Sequence, residues 1–209
     1  MNFEKVFYIS NINFADESNI DVSFLPPMAR RKLSAVDKAA LCVMNSTFNQ
    51  SECKEPLIIF SSQYGELDRL DKIISQYQED NEVSPFTFST SVHNSIVGQF
   101  SLLNGIKKNY NALASGDNSL SIGLLESFMS ASDENDVLYC YADAYKEIKA
   151  CALCVSLKPS DGAIKVVLKQ NESEKTSANE FLDFKGFCEN KVNSFASYDG
   201  LFSVFRGES

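Results

Sequence analysis

SPFTFSTSVHNSIVGQFSLLNGIKKNYNALASGDNSLSIGLLESFM, running from Ser84 to Met129, reads as a helix, a short strand, a tight turn and a second helix. Val92, Ile96, Phe100 and Leu103 recur at helical spacing, and Leu120, Leu124, Leu125 and Phe128 do so again, so both helices are expected to be buried. Asn104-Gly105 stops the first, and Asn109 to Ala114 is short enough for a strand. Ser115-Gly116-Asp117 supplies the turn, with Asp117 expected to cap the next helix by accepting its orphan N–H groups. Strand, sharp turn and buried helix form an arrangement in which many α/β enzymes hold a nucleophile at a helix N-terminus. Here the turn offers Leu113, Ala114, Ser115 and Gly116, and no cysteine.

Upstream, Phe3 to Phe14 is β-rich and loosely alternating, which predicts a strand. Leu25-Pro26-Pro27 then breaks the chain. Ser34 with Asp37 three residues on predicts a capped helix whose stripe is Val36, Ala39, Ala40, Val43, Met44 and Phe48. The near-continuous apolar run Pro56 to Phe60 suits a strand covered on both faces, as in a parallel sheet. A helix over Glu66 to Gln78 follows, with Leu67, Leu70, Ile73, Ile74 and Tyr77 expected on its inner side. Two strand–helix steps in succession predict βαβ architecture. Downstream, Asp136 to Tyr141 reads as another buried strand. Lys149 to Leu157 and Ala163 to Gln170 read as a hairpin about the turn-rich Lys158 to Gly162. Asn171 to Ser177 reads as a mobile loop, Asn179 to Asn193 as a last helix and Leu201 to Arg206 as a final strand. There is no internal repeat and no low-complexity tract.

The 209 residues suffice for one domain with a substantial core, and 44% apolar with 22% charged residues is ordinary globular composition. Sixteen Phe, eight Tyr and no Trp point to a core rich in flat aromatic packing. A formal charge of −9 argues against nucleic acid, where Lys and Arg must neutralise phosphate. The basic clusters Arg30-Arg31-Lys32 and Lys107-Lys108 read as solvated ends of elements. No stretch has the roughly 20 apolar residues of a membrane span, and the first residues open into a strand pattern, so no signal peptide is expected. The six cysteines have no disulfide rhythm, which places the chain in a reducing cytoplasm.

Cys151-Ala152-Leu153-Cys154 is a C-x-x-C, yet it lies in a β-rich run where positions three apart point to opposite faces, so both read as small core residues. No second C-x-x-C or histidine pair completes a metal site. His93 is the sole histidine and would have to serve any Ser-His dyad; beside Asn94 it reads as a hydrogen-bonded structural residue. G-x-S-x-G, G-x-G-x-x-G and P-loop motifs are absent. Asp68, Asp71, Glu79, Asp80 and Glu82 fall on polar faces and read as solvated surface. The residues alone describe an α/β protein without a catalytic constellation.

Met28-Ala29-Arg30-Arg31-Lys32-Leu33-Ser34, Ser61-Ser62-Gln63-Tyr64-Gly65-Glu66, Ser84 to Ser89, Ser91-Val92-His93-Asn94 through Gly98, and Ala114-Ser115-Gly116-Asp117 leading into Gly123-Leu124-Leu125-Glu126 occur in a telling order. Over roughly residues 1 to 160 this order resembles the β-ketoacyl synthase-like half of the thiolase superfamily, and within it the short non-catalytic type called a chain-length factor. Similar short proteins occur in aryl polyene-type gene clusters, where they partner a full-length ketosynthase. The resemblance implies an α/β thiolase-like half-fold, a mixed, mostly parallel sheet with helices on both faces. It implies a single domain over 1–209, with 171–209 as a C-terminal extension, and neither cofactor nor metal.

Active ketosynthases carry a cysteine at the turn after the central strand, activated by the helix behind it, and two histidines from a C-terminal half. Aligned on Ser115-Gly116, the cysteine position falls near Leu113, and no histidine follows His93. The resemblance therefore implies a catalytically silent subunit that forms a heterodimer with a full-length β-ketoacyl synthase. Asn109, Tyr110, Asn111, Ala112, Leu113 and Ala114 would pair with the partner's strand. Phe86, Phe88, Val92, Ile96 and Phe100 would wall the partner's acyl tunnel and limit chain length by filling volume. Acyl carrier protein would be met only through the partner. Two alternatives stay open: an autonomous thioesterase or decarboxylase using Ser115 with His93 as base, and a stand-alone acyl-binding protein.

Overall fold

The computed structural model describes residues 4–170, 179–197 and 200–207. In chain order the elements are β1 (Glu4–Ala15), α1 (Pro27–Arg30), α2 (Ala35–Gln50), β2 (Leu57–Ser61), α3 (Leu67–Asp80), α4 (Pro85–Ser91), α5 (Ser95–Asn104), β3 (Tyr110–Leu113), α6 (Ser119–Ser130), β4 (Val137–Asp143), β5 (Lys149–Ser156), β6 (Ile164–Gln170), α7 (Glu180–Cys188), β7 (Ser194–Ala196) and β8 (Phe202–Arg206). The strands form one sheet in the order β3-β2-β4-β5-β1-β6-β8-β7.

Alternation along the strands builds two cores. Leu138, Cys140 and Ala142 of β4 and Ala150, Ala152 and Cys154 of β5 face α2 and α5. Val137, Tyr139 and Tyr141, with Cys151, Leu153 and Val155, face α6 and α7. Both surfaces of these strands are sealed, which is why they read as unbroken apolar runs. The residues under α2 are small, so the helix settles low enough for Thr47 Oγ1 to donate to the Ala152 carbonyl at 3.2 Å. The Ser34–Asp37 capping box forms as expected, with Asp37 N–H to Ser34 Oγ at 3.0 Å and Ser34 N–H to Asp37 Oδ2 at 3.2 Å.

Several expectations are corrected. Among the described residues only β2–β3 and β2–β4 pair in parallel; the other five pairings are antiparallel, so the sheet is mixed but mostly antiparallel. β5 and β6 are not a hairpin, because β1 inserts between them and pairs with both. Each alone looks like half of a ladder, and nothing local reveals a third strand arriving from the chain's start. The helix containing Val92 to Leu103 is two helices broken at residues 92–94; Ile96 and Phe100 are buried, while Val92 and Leu103 are 41% and 49% exposed. On α3, Ile73 is buried but Leu70, Ile74 and Tyr77 are exposed, since that helix docks through buried Arg69 rather than an apolar stripe. Asp117 does not cap α6: Asn118 occupies that position, and Asp117 Oδ1 instead accepts from Gln63 Nε2 at 2.7 Å. The short strand β7 and the single-turn α1 went unread. The loop expected over Asn171 to Ser177 lies outside the described residues.

α6 approaches the sheet at Gly123. A Cβ there would lie 2.5 Å from Ser61 Oγ and 2.7 Å from Tyr139 Cε2. Those two side chains are already joined, Ser61 Oγ to Tyr139 OH at 2.8 Å, and the phenol donates to the Leu120 carbonyl at 2.6 Å. Alanine in place of helical glycine ordinarily stabilises by about 0.5–1 kcal/mol. Gly123→Ala is expected to reverse that sign and cost about 1–3 kcal/mol, because overpacking here disturbs a buried hydrogen-bonded pair; chemical denaturation measures it.

Candidate functional site at the open end of the sheet

Among the described residues, β3 is the outermost strand at one end of the sheet, bonded only to β2. Ile58 N–H donates to the Asn109 carbonyl and Ser62 N–H to the Leu113 carbonyl, at 3.3 Å each. Alternation then turns the backbone groups of Tyr110 and Ala112 to the unpaired side. The six residues 109–114 are all partly or fully exposed.

At the C-terminal end of β3, the Leu113 carbonyl also pairs with His93 Nε2 at 2.9 Å. Bonding a carbonyl requires a proton on Nε2, which leaves the neutral ring's lone pair on Nδ1. Nδ1 packs against Gly65, where a Cβ would come within 2.8 Å; Gly65 also has φ +54°. The ring lies 5.5 Å from that of Phe60. His93 thus occupies the break between α4 and α5 and ties it to β3. Ser115 bonds through its N–H to Ser119 Oγ at 2.9 Å, and no hydrogen bond joins it to His93. The two groups of the Ser-His alternative are placed near one turn but are not paired.

Beside them, Asp143 at the end of β4 organises the loop after β2. Its buried carboxylate accepts from Ser62 Oγ at 2.6 Å, Gln63 N–H at 2.9 Å and Tyr64 N–H at 2.9 Å, and Ser62 Oγ accepts from Gly65 N–H at 2.8 Å. Sequence reading missed Asp143 because its partners lie about eighty residues earlier; the polar run Ser61 to Glu66 after an apolar strand was the available signal.

Next to β3 lies an open cavity of about 990 Å³ between α1, α2, α4 and α5. Its walls include Leu25, Met28, Phe86, Leu102, Leu103 and Tyr110, and its lining reaches Asp37 and Arg69. Met28, Phe86 and Leu102 are 66%, 52% and 85% exposed. Lys32 Nζ sits 5.0 Å from the Phe86 ring centre. Of the expected wall residues, Phe86 lines this groove and Phe88 and Val92 are on the surface, whereas Ile96 and Phe100 face the core under the sheet. Met28 and Leu102 were not anticipated, because neither belongs to an apolar stripe.

Cys151 and Cys154 lie in the two opposite cores, as expected for strand positions three apart. Burial pushes the Cys154 thiol up to about 11 and that of Cys188 up to about 12. Among the described residues, no group of three His, Cys, Asp or Glu could hold a metal, and no helix is long and apolar enough to cross a membrane.

Residues 9–185 match the family model described as beta-ketoacyl synthase, N-terminal domain. No curated protein matches. Among solved structures, a chain of the ketosynthase (ApeO) in complex with its chain length factor (ApeC) from Xenorhabdus doucetiae aligns with TM-score 0.71 and 20% identity, over 90% of this chain and 82% of that one. The ishigamide ketosynthase/chain length factor aligns with TM-score 0.55 and 12% identity, over 84% of this chain and 60% of that one. These likenesses show the fold, a thiolase-like half-fold with helices on both faces of a mixed sheet.

The Asp143 network gives a direct test of how the loop is held. Asp143→Ala would strand three donors in a buried site, and a loss of about 3 kcal/mol in folding stability is expected by urea denaturation.

Proposed function

Since the chain belongs to the beta-ketoacyl synthase N-terminal domain family, we propose that it is a non-catalytic chain-length factor. It pairs with a full-length β-ketoacyl synthase and helps shape that enzyme's acyl or polyene tunnel. The observation that carries this reading is the end of β3: an open sheet edge that terminates in Leu113 at the turn where active relatives hold cysteine. Leucine can neither attack a thioester nor carry an acyl group. His93, the one imidazole, is engaged by the Leu113 carbonyl.

The edge supplies a docking geometry. A partner strand laid along β3 would bond the outward backbone groups of Tyr110 and Ala112, extending the sheet across the interface. The groove beside it presents the apolar surface that such contacts bury, and it abuts β3 through Tyr110. Phe86, with Met28 and Leu102, replaces the inward-facing Ile96 and Phe100 as the surface that meets the partner's tunnel. Bulk at these positions shortens the space left for a growing chain. With a charge of −9, this subunit is a poor platform for acidic acyl carrier protein, which docks on the partner instead.

Ala112→Pro tests the pairing. Proline removes an outward-facing N–H and leaves the ladder to β2 intact, as edge strands tolerate. Co-expressed with a full-length ketosynthase from the same source, the natural chain is expected to elute as a one-to-one complex. The variant is expected to remain folded while affinity falls by about tenfold or more, for one lost hydrogen bond and a disturbed edge. Equal affinity of both forms would refute edge pairing. Thioester turnover by the isolated chain, abolished by Ser115→Ala, would establish the autonomous enzyme in place of this reading. A monomer that retains bound lipid would favour the acyl-binding alternative.

A further inference from the structure

Two buried carboxyl groups and one guanidinium meet where α2, the start of α3 and the end of α4 converge. Arg69 Nη2 donates to Asp37 Oδ2 at 2.7 Å and to the Lys32 carbonyl at 2.7 Å, while Nη1 donates to the Thr90 carbonyl at 2.7 Å. Ser34 Oγ donates to Glu66 Oε1 at 2.8 Å. The side chains of Asp37, Glu66 and Arg69 are 0%, 6% and 11% exposed. Two acceptors remain without a hydrogen-bond donor, Asp37 Oδ1 and Glu66 Oε2, although Glu66 Oε2 lies 3.3 Å from Arg69 Nη1. Ser34 and Arg69 hold the two carboxyls in one cluster: Ser34 Oγ accepts from Asp37 N–H at 3.0 Å while donating to Glu66, and the two ends of the Arg69 guanidinium face Asp37 and Glu66.

One proton resolves both vacancies. Two buried anions facing one guanidinium leave an uncompensated negative charge in a dry site, which is costly. If Glu66 is neutral, its O–H fills the open acceptor on Asp37, and Asp37 and Arg69 balance one to one. We propose that Glu66 retains its proton at neutral pH and donates it to Asp37, making Asp37, Glu66 and Arg69 a proton-dependent joint. Because Arg69 holds the Lys32 carbonyl after α1 and the Thr90 carbonyl in α4, the joint fixes two walls of the apolar groove. Glu66 acts here through Arg69 as a positioning residue. The joint forms within this chain and needs no ketosynthase partner.

Charged and titratable groups from several elements surround Glu66. Asp37 faces it from α2 and Arg69 from α3, with the Ser34 hydroxyl between them. Tyr64, Asp68 and Tyr145 share the small cleft on its other side. Burial first, then Asp37, pushes the Glu66 carboxyl up to about 8, against the opposing pull of Ser34 and Arg69. A raised carboxyl means the folded chain keeps a proton that the unfolded chain releases. Its stabilising effect is complete below the ordinary value of 4.5 and is lost as pH rises to about 8.

The test follows the full chain by denaturation across this range, beside Glu66→Gln, which keeps a donor but cannot ionise. The ratio of the two unfolding constants is expected to change by up to about tenfold per pH unit between about 4.5 and about 8, then level off. Infrared spectroscopy of the unmodified chain needs no variant: a protonated-carboxyl band at neutral pH is expected to vanish as pH passes about 8. A pH-independent ratio, or no such band at neutral pH, overturns the proposal.

Discussion

Burial of β4 and β5 on both faces is the constraint from which the rest of the molecule follows. Each strand must present one set of side chains to α2 and α5 and another to α6 and α7. That requirement selects small residues under α2, tolerates three cysteines (Cys140, Cys151 and Cys154) as core filler, and forces a glycine where α6 crosses Ser61 and Tyr139. It also fixes the end of β4, where Asp143 accepts the backbone of the 62–65 loop. The geometry of the candidate site is therefore inherited from the middle of the sheet rather than built at its edge.

That edge differs from everything behind it. β3 has four residues, one neighbour and partly open faces. A short, open strand beside an apolar groove is the combination that proteins otherwise blunt with charge or cover. Here Lys32 lies over Phe86, and Tyr110 joins groove to strand, so the apolar and hydrogen-bonding surfaces form one continuous face. At the end of that strand the Leu113 carbonyl is shared by His93 and Ser62.

Local pattern carried the elements and little of their arrangement. The apolar run at Pro56 to Phe60, the Ser34–Asp37 box and the Leu120–Leu124–Phe128 stripe each state their structure within a dozen residues. The insertion of β1 between β5 and β6 does not, because its pairings span most of the chain. Nor did the spacing of Val92, Ile96, Phe100 and Leu103 reveal a break at His93, where a ring-to-carbonyl bond outweighs helical continuation. The deepest omission concerns charge. The acidic residues noted on polar faces are solvated, while Asp37, Glu66 and Asp143, which organise the site, sit among apolar neighbours and take their meaning from distant partners. The order of short signatures, read as a family resemblance, supplied what periodicity alone could not.

The position of β1 also governs how the polypeptide reaches its native form. Glu4 pairs opposite Lys169, and Ala15 opposite Ala150. During synthesis at about 5–20 residues per second, the first strand must wait on the order of ten seconds for either neighbour to emerge. Until then its apolar face has no home, and the nascent chain carries an unsatisfied strand past the assembly of β2, β3 and β4. Closure of the sheet is consequently a late, long-loop event, a step that places this chain among slow rather than fast folders.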